Sequence, residues 1–219
     1  MPFGQRARHG TLLFLRTPAL RPVLALNLAV AAAGAFVLVQ TVVVARTTFA
    51  QGEDMVAVLL AANGAGSMAA AFALPWVLRH LPERRVMLGG AALLTAATTL
   101  VPLALGAPGT TWGLITVGIL WLVVGIGWSS VETPVGRIIR RSVPTADLPA
   151  AFAAQFSLSH ACWLLTYPWR LARPGRLTNA ALVLAAVAAA ATLAATTLWP
   201  RHTTAHDATE RPENAAVAS

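Results

Sequence analysis

The sequence predicts an all-α integral membrane protein of six transmembrane helices. Two measures of composition and one of charge placement point there. Of 219 residues, 57% are hydrophobic and only 11% are charged, where a soluble chain carries about a quarter charged residues. The apolar residues gather in six runs. Each approaches the roughly 20 residues that cross a bilayer at about 1.5 Å of rise per residue. The basic residues, all arginine, sit at the ends of those runs.

Residues 1–21 carry Arg6, Arg8, Arg16 and Arg21 around Leu12-Leu13-Phe14-Leu15. That cluster is too short to span. It reads either as a basic amphipathic segment on an anionic surface or as a disordered tail. The first span is 22–45, holding Asn27 and Gln40. After an acidic loop with Glu53 and Asp54, the second span is 55–78. A tight basic turn follows, with Arg79, Glu83, Arg84 and Arg85, and the third span is 86–105. Gly106-Ala-Pro-Gly109 marks a turn. The fourth span, 112–136, runs on to Arg137, Arg140 and Arg141, which share one helical side at i, i+3 and i+4. The fifth span is 150–167, the sixth 179–199, and 200–219 is a polar tail expected to be disordered.

With the N-terminus in the cytoplasm, twelve arginines fall inside and four (Arg46, Arg170, Arg173, Arg176) outside. This fits the positive-inside rule and places both termini in the cytoplasm of a cell membrane protein. The net charge of +8 is thereby read as orientation charge, not as a nucleic-acid footprint. The lone Cys162 reads as a small packing residue. No motif calls for a cofactor or a metal. His202 and His206, at i and i+4 in the tail, read as solvated.

Polar groups inside a bilayer are costly, so each is a candidate for function. Asn27, Gln40, Asn63, Gln155 and His160 are the substrate-path candidates. Their commoner role is a hydrogen bond to a neighbouring helix. Glu132 and His160 are the proton-coupling candidates, because His titrates near neutral pH. The commoner role for Glu132 is an ion pair with the nearby arginines. Abundant small residues, among them Gly64, Gly66, Gly90, Gly125 and Gly127, allow helix backbones to approach closely.

Two other patterns weigh less. Gly64-Ala-Gly66-Ser-Met-Ala69 matches a dinucleotide-binding pattern, which needs a strand before it. Ser129 in the fourth span and His160 in the fifth could pair as nucleophile and base of an intramembrane serine protease. Ser129 lacks the following glycine of such motifs.

The order of elements resembles the C-terminal six-helix half of a major facilitator superfamily transporter. The turn 74–88 is similar to a degenerate form of that family's signature turn, in which Arg79, Glu83, Arg84 and Arg85 would serve topology and gating. Residues 14–22 resemble the linker between halves. Thr133-Pro134 and Arg137 resemble the end of the tenth helix. The tract 152–168 resembles the eleventh helix of bacterial drug and metal efflux members. The resemblance implies two inverted three-helix repeats and a substrate site shared with a second half, from another chain or another copy. It also implies proton-coupled efflux of a small molecule by alternating access, without enzymatic activity. A degenerate, non-transporting remnant is the alternative, and the protease a more distant one.

Overall fold

The computed structural model describes residues 3–167 and 177–200. The basic loop with Arg170, Arg173 and Arg176, and the tail with His202 and His206, lie outside them. The described residues form helices α1 (Phe3–Arg16), α2 (Arg21–Val43), α3 (Glu53–His80), α4 (Glu83–Leu105), α5 (Thr111–Glu132), α6 (Val135–Ser142), α7 (Leu148–Thr166) and α8 (Leu177–Leu198). No strand occurs among them.

The helix ends follow local chemistry. Pro22 sits in the first turn of α2, where its missing N–H costs nothing. Glu53 and Asp54 open α3, and Arg79 and His80 close it, which suits the helix dipole at both ends. The Thr110 hydroxyl caps α5 by accepting from the Gly113 N–H at 3.0 Å. Thr133-Pro134 ends α5 and starts α6, so the fourth span continues with a break rather than straight.

Five helical stretches are long and apolar enough to cross a membrane: Arg21–Thr48, Glu53–His80, Glu83–Leu105, Thr111–Ser142 and Leu177–Leu198. The expected fifth span is α7, which is not one of the five. It has 19 residues, but Gln155, Ser157, Ser159 and His160 dilute its apolarity.

Burial is arranged for an apolar surrounding. Phe72, Trp112 and Leu103 are 72–80% exposed, while Asn27 and Gln40 are at most 2% exposed. That these large apolar side chains face out while these two amides are buried suits an apolar surrounding better than water. The basic segment 1–21 is helical over most of its described residues. That helix, α1, packs on α7 with Phe14 buried. His9 Nε2 meets Asp147 Oδ1 at 3.2 Å beside that contact.

Helix α5 is packed by both α3 and α4; α2 is packed by α7 and α8; and α4 meets α8. Trp121 of α5 is fully buried against α2. Its indole N–H donates to Thr41 Oγ1 at 2.6 Å, and its ring meets Phe36 edge-on at 6.0 Å. The Thr41 hydroxyl donates onward to the Val37 carbonyl.

The α5 contacts are backbone to backbone. A Cβ on Gly125 would run into the Asn63 carbonyl of α3, and one on Gly66 into the Leu122 carbonyl of α5. On the other side, a Cβ on Gly127 would lie 2.7 Å from the Gly90 carbonyl oxygen of α4. None of these walls is a flexible side-chain tip, so relief requires the helices to separate. Gly125→Ala or Gly66→Ala should destabilise the bundle by about 1–3 kcal/mol. Gly64→Ala and Gly89→Ala, with nothing within 4 Å of the new methyl, should be neutral or slightly stabilising. Thermal unfolding of the four variants in detergent checks this; equal melting temperatures would contradict the packing.

Candidate functional site

A groove of about 650 Å³ opens between α2, α5 and α7. Helix α2 contributes Val30 and Leu38, and α5 contributes Trp128 and Glu132 one turn apart. Helix α7 contributes His160 and Trp163, and Tyr167 caps its C-terminal end; the i, i+3 and i+7 spacing sets the three on one stripe. Ser157 and Ser159 extend that wall.

The aromatic groups touch in sequence. Trp128 and Trp163 ring centroids are 5.2 Å apart, and Trp163 and Tyr167 5.6 Å apart. The Trp163 ring presses on α2 at Gly34, where a side chain would collide with it. His160 stacks at 4.1 Å on Phe156, with Nδ1 at 2.8 Å from the Phe156 carbonyl oxygen. That contact suits an Nδ1–H tautomer donating within the helix.

The substrate-path candidates separate. His160 lines the groove. Asn27 and Gln155 instead bond to each other, amide to amide in both directions at 3.2 Å, and tie α2 to α7. Asn63 donates to the Trp121 carbonyl at 3.0 Å and ties α3 to α5. Gln40 is buried within α2 and does not line the groove. Both proton-coupling candidates, Glu132 and His160, face the groove.

The expected pairing of Glu132 with the arginines does not form. No ion pair reaches Glu132 among the described residues. Arg137 and Arg141 bind Glu83 instead, at 3.4 and 3.0 Å. The break at Thr133-Pro134 is the cause. It re-aims the chain, so Glu132 stays on the groove side of α5 while α6 carries its arginines to the start of α4. Arg140 lies 6.0 Å over the Phe152 ring, a cation–π distance. Of the turn residues, Glu83 holds the two helices together, while Arg79, Arg84 and Arg85 are exposed.

The weaker patterns find no support in the geometry. Residues 64–69 lie inside α3, with no strand before them. Ser129 is buried in α5, and no hydrogen bond joins it to His160. The groove aromatics Trp128, Trp163 and Tyr167 were not singled out from the sequence. The i, i+3, i+7 spacing of His160, Trp163 and Tyr167 was the available signal. Scans against family models, curated proteins and solved structures returned no match.

The Asn27–Gln155 pair yields a separable prediction. Asn27→Leu or Gln155→Leu alone leaves a buried amide without its partner and should cost about 1–2 kcal/mol. The double variant should cost less than the two singles summed. A double-mutant cycle on unfolding in detergent measures the coupling, and strict additivity would mean the amides do not act as a pair.

Proposed function

We propose that the chain is one six-helix half of a major-facilitator-type transporter, in which α7 is the sixth membrane crossing. Both termini lie in the cytoplasm on this reading. Paired with a second half, it would export a small molecule by alternating access, driven by protons.

The observation that supports this most is the pattern of helix packing. Exchange α2 with α5, α3 with α7, and α4 with α8. The α3–α5 contact then becomes α7–α2, and α4–α5 becomes α8–α2. The α4–α8 and α2–α5 contacts map onto themselves. If each long helix crosses the membrane once, α5, α7 and α8 run opposite to α2, α3 and α4. Two three-helix units related in this way are inverted repeats, the arrangement of this transporter class. The correspondence is approximate, since α2 also leans on α3 and α4.

The groove lies at the lead helices of both units, α2 and α5, with α7 alongside. Its open side is where a second half, from another chain or another copy, would close a central path. Glu132 and His160 are the groups on that path able to take up and release protons. Glu83 with Arg137 and Arg141 would latch the cytoplasmic ends of α4 and α6 in one state of the cycle.

The purified chain in liposomes, alone and with any co-purifying half, tests the reading. A pyranine-reported pH gradient should drive efflux of at least one compound from a drug and metal-salt panel. Glu132→Gln and His160→Ala should slow it about tenfold or more. Efflux that ignores the gradient and both substitutions would remove the proton assignment. No flux from any assembly of halves would favour the non-transporting remnant.

A further inference from the structure

Helix α1 is fixed on one side and open on the other. Gly10 and Phe14, one turn apart, are buried. A Cβ on Gly10 would run into the Ala150 carbonyl of α7. His9 Nε2 meets Asp147 Oδ1, on the residue that precedes α7, at 3.2 Å. At the other end, Arg21 Nε donates to the Leu15 carbonyl at 2.9 Å and ties α1 to the start of α2. These contacts decide which side of α1 faces away from the protein.

Arg8, Leu12, Leu15 and Arg16 stand on that outward side. Their spacing of i, i+4, i+7 and i+8 makes one helical face. All four are exposed, Leu12 by 38% and Leu15 by 40%. No ion pair reaches Arg8 or Arg16 among the described residues. The first 52 residues of the chain contain no Asp or Glu, and Asp147 is engaged by His9.

Three surroundings can be compared for this face. Water would solvate the arginines and leave both leucines in contact with it. Hydrocarbon would accept the leucines and strand two guanidinium groups. The headgroup boundary suits both, because leucines reach the acyl chains while arginines hold phosphates. The position of α1 agrees. Only residues 17–20 separate it from α2, a candidate span that begins at Arg21, and four residues reach at most about 14 Å. The charge then selects the lipid. A zwitterionic headgroup carries its own cation, whereas an anionic one leaves its phosphate to the guanidinium groups, which bind it bidentately.

We propose that the outward face of α1 binds anionic phospholipid headgroups, with Arg8 and Arg16 on the phosphates and Leu12 and Leu15 at the top of the acyl chains. Seated on α7 by its other face, α1 thereby pins the start of α7 to an anionic membrane surface. The inference stands apart from the transport reading, and neither falls with the other.

A quencher carried on one lipid or the other tests it. With Cys162 replaced by serine, Leu12→Cys is labelled with a nitrobenzoxadiazole fluorophore in nanodiscs of phosphatidylcholine with about one third phosphatidylglycerol. A doxyl group is placed near the top of the acyl chain of either lipid at the same total composition. The glycerol lipid should quench about twofold or more over the choline lipid, since each basic residue near an anionic surface favours it severalfold. The same label at Leu103→Cys, exposed near the far end of α4, should show no preference. Arg8→Gln with Arg16→Gln should bring the ratio at position 12 to one, and Arg8→Lys with Arg16→Lys should keep it. Salt at about 0.5 M should shrink it. Equal quenching by the two lipids in the otherwise unmodified chain would overturn the proposal. So would an undiminished preference in the glutamine pair with its helical spectrum intact. Absence of quenching by either lipid would overturn it too, and would leave the face to water or to an acidic protein surface.

Discussion

The bundle depends on backbone contact between α5 and its neighbours. In an apolar solvent, helices gain nothing from burying leucine against leucine, so association must come from close packing and hydrogen bonds. Gly125 and Gly66 let α5 and α3 touch through carbonyl oxygens, and Gly127 and Gly90 do the same for α5 and α4. On its remaining side α5 is held to α2 through buried Trp121. A helix so constrained on three sides cannot rotate, and this fixes where its other side chains point. Trp128 and Glu132 face the groove as a consequence of those contacts.

The same logic sorts the polar groups. Asn27 with Gln155, Asn63 with the Trp121 carbonyl, and Thr166 with the Ala31 carbonyl are each consumed in joining two helices. They act as structure. Glu83 is likewise consumed by Arg137 and Arg141 where α4 and α6 meet. Once these are set aside, Glu132 and His160 are left on an aromatic-lined opening. Neither is tied into a contact between two helices: Glu132 lines the open groove, and His160 bonds only within its own helix and to Ser159. The packing that spends the other polar groups thus leaves Glu132 and His160 on the groove.

Much of the fold was legible because its signal is long-range and redundant. Each apolar run needs only composition and length to be recognised, and the helix ends had caps, prolines or charges beside them. The α7 segment was harder, since Gln155, Ser157, Ser159 and His160 dilute the apolarity by which spans are recognised. The site was legible in part. Spacing showed that Arg137, Arg140 and Arg141 share a side, but not that Pro134 turns that side toward Glu83. Polarity marked Asn27 and Gln155 as unusual, yet only the crossing of α2 and α7 shows that they satisfy each other. Trp128 and Trp163 lie 35 residues apart in the chain, and no local pattern predicts that their rings touch.

The central claim is that the face between α2, α5 and α7 is a water-accessible path, while the outer face of α8 meets lipid. Single cysteines report this directly. With Cys162 replaced by serine, Ser157→Cys in the groove and Leu193→Cys on the exposed side of α8 would be treated in membranes with a charged, water-soluble thiol reagent. The account predicts rapid labelling at 157 and none at 193. Equal labelling at both positions, or no labelling at 157, would contradict it.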